Sequence, residues 1–163
     1  ETLREMYINL LANSMDIDKE KIVHPSFVGI IKQMSSLDAK VFDKLSSNTG
    51  YQKILNPIVA IKDQGKFFTG ATPEWYIGWC IDGYNEFDVS ASLIRLSKFG
   101  LIELMFDRTA GKEGYAEIKN SPFLINILEL YKFENPDLEL EIEGTESIVY
   151  VNEYGLQFKN ACL

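Results

Sequence analysis

The sequence has few of the residues on which catalytic and metal sites depend. Its 163 residues include one histidine and two cysteines, and the cysteines form no CxxC pair. A metal site or a nucleophilic triad needs several such side chains that converge on one point. No glycine-rich loop opens a helix, as a phosphate-binding site requires. The sequence therefore indicates no catalytic residue, no metal, no cofactor and no small-molecule substrate.

Long apolar runs and a leader sequence are also missing. The apolar runs are short and interrupted by charges, so none is expected to span a membrane. No basic, then apolar, then small-residue segment starts the chain, so we expect no secretion signal. The chain starts inside a helical pattern at Glu1, so we expect native sequence upstream of it. Cys80 and Cys162 are expected to be buried thiols in a reduced, cytoplasmic protein.

Negative charge is concentrated near the end of the chain. The net charge is −8, and residues 107–163 hold eleven acidic and five basic side chains. An acidic surface is unfavourable for phosphate contacts, so nucleic acid is disfavoured as a partner. Glu139, Glu141 and Glu143 alternate with apolar residues in a predicted strand. This row either meets a basic partner or, more simply, guards an edge strand against pairing with other chains.

Apolar spacing and turn residues predict most of the helices. The first is expected over about residues 2–15, with an apolar stripe of Leu3, Met6, Tyr7, Leu10 and Leu11. The second begins at Pro25, and the third is capped by Ser36. A later helix over 88–99, capped by Asp88, buries Val89, Leu93 and Leu96 and ends at Gly100. Two more begin at Ser121-Pro122 and near Tyr154.

Short apolar stretches predict a small antiparallel sheet. Residues 57–61 and 101–106 read as strands, and residues 64–66 as a turn. Residues 67–81 are rich in aromatic side chains and hold either a second strand or a short irregular helix. Residues 138–143 are expected to turn at Glu143–Glu146 and to return as 148–151 in a hairpin. A helix that ends in glycine and leads at once into a strand is typical of a winged-helix domain.

One residue and one segment with the potential to form a site have simpler interpretations. His24 precedes a proline and is more typical of a residue that enters a helix than of a metal ligand or a base. The segment 16–20 has carboxylates at alternate positions, as a calcium loop has, but it lacks the central glycine and the final glutamate. We interpret it as the polar end of the first helix.

The predicted helix 88–99 carries the candidate contact site. Opposite its buried stripe lie Ala91, Ile94, Arg95 and Lys98. Two basic residues beside an apolar one form a small surface for reading DNA, which normally requires more arginine, lysine, asparagine or glutamine. The apolar residue favours packing against another segment or a protein partner.

Three segments resemble one protein family. They are Leu3–Met15, His24–Lys40, and the pair Leu93–Ile102 and Tyr154–Cys162. The second carries the central signature HPSFVGIIKQMSSLDAK, and the last two resemble a winged-helix half. The family is the bacterial Abi-alpha group, named for abortive infection. The resemblance covers nearly the whole chain and implies a cytoplasmic bacterial protein linked to resistance against bacteriophage. It implies no catalytic or ligand residues.

The sequence therefore predicts an α+β protein. A helical section of residues 1–35 packs on a winged-helix-like domain of residues 36–163, which has a small antiparallel sheet and insertions at about 50–87 and 107–146. The second insertion enlarges the wing region with a helix and a hairpin strand. The leading functional hypothesis is a non-enzymatic interaction protein that acts through protein contacts or self-association. The alternative is a winged-helix regulator that binds nucleic acid.

Overall fold

A computed structural model of the chain describes residues 2–48, 50–111 and 113–163. These residues form helices and one antiparallel sheet, which confirms the predicted α+β class. The helices are α1 Thr2–Ser14, α2 Ser26–Gln33, α3 Ser36–Ser46, α4 Glu86–Lys98, α5 Tyr115–Lys119, α6 Pro122–Glu134 and α7 Glu153–Cys162, with a 3₁₀ turn at Glu20–Ile22. The strands are β1 Gln52–Ile61, β2 Lys66–Phe68, β3 Ile102–Met105 and β4 Leu140–Val151. The winged-helix arrangement and the division at residue 35 stay predictions.

The sheet is built around one long pair of strands. Its order is β2-β1-β4-β3, and all neighbours are antiparallel. β1 and β4 pair from Gln52 opposite Val149 to Ile61 opposite Leu140. β3 pairs only with the last residues of β4, from Ile148 to Val151. The middle of the sheet therefore consists of two long strands, and the outer strands are short.

The predicted hairpin at residues 138–151 is wrong. β4 runs through Gly144 without a turn, and α5 and α6 lie between β3 and β4 along the chain. Gly144 lies opposite Pro57, and a Cβ atom there would be 2.8 Å from Cγ of Leu55. The glycine therefore admits a packed leucine from β1, which is a known use of glycine within strands.

Two predicted helix caps are displaced from their true positions. Ser35, and not Ser36, caps α3, because its hydroxyl accepts the backbone N–H of Asp38 over 3.1 Å. Asn85, and not Asp88, caps α4, where Asp88 is the third helical residue. In both helices the aspartate accepts the N–H of the capping residue in return. Each helix therefore begins with a reciprocal capping box, and the predicted residues lie within it.

The main core lies between the sheet and helices α1–α4 and α7. Val89, Leu93 and Leu96 of α4 are buried there with Val149 of β4, which confirms the predicted docking of this helix over the sheet. Met6 and Leu10 of α1 belong to the same core. Leu11 is exposed, so the stripe predicted for α1 is narrower than expected, and the helix presents apolar side chains on two sides.

A second core covers part of the opposite face of the sheet. It contains Leu55 and Val59 of β1, Leu140 and Ile142 of β4, and Leu124 of α6. The aromatic-rich stretch 67–81 holds strand β2 only as far as Phe68 and is irregular beyond it. One bridge links it to the sheet, because the backbones of Tyr76 and Leu55 exchange two hydrogen bonds of 2.8 Å. In the described part of the chain, no helix has the length and apolarity needed to cross a bilayer.

Candidate interaction site on helix α4

Helix α4 is held in place along its length, which fixes the direction of its outer face. Its capping box closes the first turn, and the hydroxyl of Ser90 accepts the backbone N–H of Trp75 over 3.0 Å. The helix ends because Gly100 adopts φ of 76°, a conformation that favours glycine. The N–H of Leu101 then donates to the carbonyl of Leu96, and the chain enters β3.

The structure gives the four residues of the candidate site different environments. Ala91 and Lys98 are exposed, whereas Ile94 is half-buried and packs against the main core. Arg95 is also half-buried, and its guanidinium contacts α3. Contact of these four residues with a partner stays a prediction. The surface that remains open to a partner is smaller than the sequence indicates, because two of the four side chains already have contacts within the chain.

Arg95 contributes to a polar cluster around the fully buried Asp38. Its Nη2 lies 2.8 Å from Oδ1 of Asp38, and its Nε lies 3.0 and 3.1 Å from the two carboxylate oxygens. The hydroxyl of Ser92 donates to Oδ1 over 2.7 Å, and the N–H of Ser35 donates to Oδ2 over 2.8 Å. The cluster therefore joins the start of α3 to the middle of α4 through one carboxylate.

The charge on Asp38 is stabilised by these donors. Burial raises the pKa of the carboxyl, but the hydrogen bonds from Arg95, from the N–H of Ser35 and from Ser92 outweigh burial. The pKa of Asp38 is therefore lowered from its ordinary value of 3.8. A buried carboxylate that accepts several charge-assisted or backbone hydrogen bonds remains ionised at neutral pH. This arrangement suits a structural clasp between two helices.

Sequence reasoning missed a second exposed feature, on helix α1 and the segment after it. Large apolar side chains point to solvent there: Ile8 and Leu11 are 53 % and 52 % exposed, and Met15 and Ile17 are 85 % and 87 % exposed. Positions 8 and 11 are three residues apart and share one side of α1, and Met15 follows in the turn directly after the helix. This spacing was visible in the sequence, but the buried stripe of the same helix obscured it.

His24 serves the start of α2. Its Nδ1 accepts the backbone N–H of Ser26 over 3.2 Å and lies 2.6 Å from the Ser26 hydroxyl, which also contacts the hydroxyl of Tyr154. The predicted helix-entry role is confirmed by these contacts. Asp16 accepts the N–H of Asp18 over 3.0 Å in a turn after α1, as expected of a polar helix end.

The two thiols differ in their surroundings. Cys162 is buried as expected, and burial raises its pKa to about 12. Cys80 is only half-buried, contrary to the prediction, and its Sγ donates to the carbonyl of Tyr84 over 2.9 Å. Within residues 2–48, 50–111 and 113–163, no three histidine, cysteine, aspartate or glutamate side chains are grouped as metal ligands would be.

Comparison with known protein families finds a match. A family model described as abortive infection alpha matches residues 1–162, nearly the whole chain. No curated protein and no solved structure matches the chain. The match confirms the resemblance that the three sequence segments indicate.

Proposed function

The chain belongs to the abortive infection alpha family, and we propose that it serves in bacterial defence against bacteriophage as a non-enzymatic interaction protein. On this proposal it acts in the cytoplasm through contacts with a protein partner or with a second copy of itself. Family membership supports the link to phage defence. The mechanism is inferred from the surface of the described residues.

The exposed apolar side of α1 carries the proposal. Arg4, Ile8 and Leu11 of α1 and Met15 directly after it follow a four-three-four spacing, which is the spacing of a seam between packed helices. Three of these four side chains are large, apolar and more than half exposed. Grouped apolar side chains on a surface typically mark a site of protein contact. The opposite side of the same helix packs in the main core through Met6 and Leu10, so the seam is presented on a fixed element.

The charges favour protein over nucleic acid as the partner. The chain has a net charge of −8, and phosphate contacts require basic side chains. On the outer face of α4, Arg95 already pairs with Asp38, while Lys98 is in no ion pair within the described part of the chain. Binding of nucleic acid through this face would need both basic side chains, and Arg95 is already occupied by its ion pair with Asp38.

The hydrogen bonds of His24 and Asp38 support a role without catalysis. The single histidine, His24, is used to begin α2 through Ser26. The fully buried carboxylate, Asp38, is charged and hydrogen-bonded on both oxygens, with no proton to give or acceptor site to spare for a substrate. A general acid or base instead needs a pKa near the working pH and reach to a bound substrate.

A plaque assay with a matched control tests the proposal. Bacteria that express the chain are challenged with a panel of phages, and the double variant Ile8→Ser with Leu11→Ser is compared with Ala12→Ser. Ala12 is exposed on the same helix but is not a large apolar residue. We expect the double variant to lose protection by at least about tenfold, because removal of interface anchors has this effect on binding. Ala12→Ser should protect as well as the parent chain.

Two results would contradict the proposal. The first is full protection by the double variant, at equal expression and with an unchanged circular dichroism spectrum. The second is hydrolysis of a nucleotide or a nucleic acid by the purified chain, abolished by changing one of its own carboxylates. A salt-dependent shift of a DNA duplex, lost in Arg95→Ala and Lys98→Ala, would instead support the nucleic-acid alternative.

A further inference from the structure

The two long edges of β4 have different neighbours. β1 pairs with β4 from Leu140 to Val149, whereas β3 pairs only with Ile148–Val151. β3 ends at Met105, and the chain then leaves the sheet at Asp107, where φ is 56°. Within the described residues, no strand lies beside the outer edge of β4 between residues 140 and 146.

The hydrogen bonds between β1 and β4 show which backbone groups point to this edge. The N–H of Lys62 donates to the carbonyl of Glu139 over 2.9 Å, so the ladder has a hydrogen-bonded pair at position 139. In an antiparallel pair such positions alternate with positions whose groups point outward. Two residues of β1 are consistent with outward-pointing groups at the even-numbered positions of β4. Pro57, opposite position 144, has no N–H, and Leu55, opposite 146, turns its groups away from β4 to Tyr76.

Four residues of β4 therefore direct both backbone groups outward from the pair. They are Leu140, Ile142, Gly144 and Glu146. None of their N–H or C=O groups has a hydrogen-bond partner within the described residues. Seven residues of strand span about 20 Å. A row of outward groups of this length is a ready template for one further strand.

The middle of β4 is partly open to solvent. A cavity of 330 Å³ lies over the β1–β4 pair, lined by Glu143, Gly144 and Thr145 of β4, by Asn56 and Ile58 of β1, and by Lys119. Glu143 is exposed, and Gly144, Thr145 and Glu146 are half-buried. The middle of β4 is therefore not enclosed by the described residues.

The side chains beside the edge define the chemistry of the strand that fits it. Glu141 and Glu143 lie on one face of the sheet, and within the described residues neither is in an ion pair. On the other face, Leu140 and Ile142 belong to the second core. A strand added here places alternate residues beside the glutamates and the residues between them beside the apolar pair.

Charge excludes a second copy of the same edge as the occupant. Pairing of two such edges would bring the glutamates of one copy against those of the other, and like charges directly opposite are destabilising. Lysine or arginine at these positions is favourable for the same reason. The row of glutamates thus rejects its own copy and admits a basic strand, which unites the two interpretations that the sequence left open.

We propose that the outer edge of β4 at residues 140–146 binds an extended segment of alternating basic and apolar residues from a protein partner, which joins the sheet as an additional strand. This inference goes beyond the function proposed above, because it concerns a different surface and a partner of defined chemistry. The partner strand lies beside the part of the β4 edge that β3, which ends at Met105, does not cover. Its backbone supplies affinity, and its basic side chains supply selectivity.

Amide hydrogen exchange of the free chain, followed residue by residue by NMR, provides the first test. The N–H groups of Ile142, Gly144 and Glu146 should exchange at least about tenfold faster than those of Glu141, Glu143 and Thr145, which donate to β1. Equal protection of the two sets would show that the edge is already covered and would overturn the proposal.

A blocked seven-residue peptide of alternating lysine and valine is the binding probe. It should bind the full chain and slow exchange of the outward amides. Two control peptides have the same sequence with N-methyl groups on alternate backbone nitrogens. One is methylated at the odd-numbered residues and the other at the even-numbered residues. At least one of these methylation patterns should abolish binding, because it removes the donors that face β4. Equal binding of all three peptides would show attraction by charge alone and would overturn the proposal, as would no binding of the parent peptide at low salt.

Variants of the chain test each half of the site. Glu141→Gln with Glu143→Gln should weaken peptide binding about fivefold, as expected for two cross-strand charge pairs. The matched control is Glu5→Gln with Asp18→Asn, which removes two charges from another exposed surface and should leave binding unchanged. Glu146→Pro removes an outward N–H without loss of a bond to β1 and should abolish binding. If Glu141→Gln with Glu143→Gln weakens binding no more than the control Glu5→Gln with Asp18→Asn does, the proposed site is wrong. These measurements use the purified chain and do not depend on phage defence. A negative result would therefore overturn the edge proposal only, and the plaque assay would still test the defence role.

Discussion

Arg95 of α4 and Asp38 of α3 form a bidentate ion pair across 57 positions of sequence, with Nη2 2.8 Å from Oδ1. Asp38 is fully buried, whereas the Arg95 side chain retains 41 % of its exposure. The carboxylate therefore depends on the pair more than the guanidinium does, because only the guanidinium keeps contact with water. Because the buried carboxylate needs its cation, breaking the pair from either side should destabilise the fold.

Loss of the Asp38 carboxylate charge should destabilise the fold. We expect Asp38→Asn to lower the free energy of unfolding by about 2 kcal/mol, because it weakens a helix cap and a partly buried ion pair. Arg95→Met should cost about as much, since it leaves the buried carboxylate without its cation. Lys98→Met, an exposed change on the same helix, should cost less than about 0.5 kcal/mol. Urea denaturation measures all three, and an Arg95→Met effect no larger than that of Lys98→Met would contradict the clasp.

The same carboxyl should make stability depend on pH in acid. Its pKa in the folded chain lies below the ordinary value of 3.8, so the folded state favours the ionised form. The stabilisation is fully present above the unfolded pKa and is lost as pH falls from 3.8 through the folded pKa. The difference in unfolding free energy between the parent chain and Asp38→Asn should therefore be constant above about pH 5 and should shrink below about pH 4. A difference that stays constant down to pH 2 would be inconsistent with a lowered pKa.

Adjacent residues of α4 should differ sharply in their contribution to stability. Leu93 is fully buried in the main core, and Ile94 is half-buried at its margin. Leu93→Ala should cost about 3 kcal/mol, because it removes a buried side chain and leaves a cavity. Ile94→Ala should cost less than about 1.5 kcal/mol. Chemical denaturation of the two variants tests which face of α4 is buried. Equal costs would mean that the buried face is assigned wrongly.

Local signals in the sequence predicted the helices of the described residues except the short α5, Tyr115–Lys119. Ser121-Pro122 begins α6, Gly100 ends α4, and apolar spacing identifies Leu93 and Leu96 as buried. Capping and periodicity act within a few residues, so they are readable without knowledge of the fold. The predicted caps are displaced by one and three residues because another residue able to cap a helix, Ser36 in α3 and Asp88 in α4, closely follows the true cap.

Signals that depend on distant segments were not readable in the same way. Gly144 within a polar stretch resembles a turn, and only the position of Leu55 on the neighbouring strand shows why a glycine is needed there. Likewise, Arg95 looks like a free recognition residue until α3 brings Asp38 to it. The open edge of β4 depends on where β3 leaves the sheet, which no local pattern in β4 reports.

The thiols should react at different rates in the folded chain. Cys162 is buried with a pKa of about 12, so at pH 8 only about one thiol in ten thousand is ionised. Burial also raises the pKa of Cys80, but this side chain is half-exposed. Iodoacetamide at pH 8 should therefore modify Cys80 first and Cys162 only after unfolding, as peptide mass spectrometry would show. Labelling of both at one rate in folded protein would contradict the buried position of Cys162.

Gly144 provides the sharpest test of the continuous strand, because a hairpin and a strand place different demands on it. In β4 a Cβ atom at this position would lie 2.8 Å from Cγ of Leu55, so Gly144→Ala should cost about 2 kcal/mol. Gly29→Ala in α2, where no atom outside the adjoining backbone of the helix lies within 4 Å of the new methyl group, should instead stabilise the chain by about 0.5 kcal/mol.

The cost at Gly144 should also depend on Leu55. In a chain that already carries Leu55→Ala, the further change Gly144→Ala should cost less than about 1 kcal/mol, because its steric opponent is gone. Urea denaturation of the four chains gives this coupling directly. If the cost of Gly144→Ala is the same with and without Leu55→Ala, then residue 144 does not pack against β1, and the long β1–β4 ladder from which the open edge is inferred is incorrect.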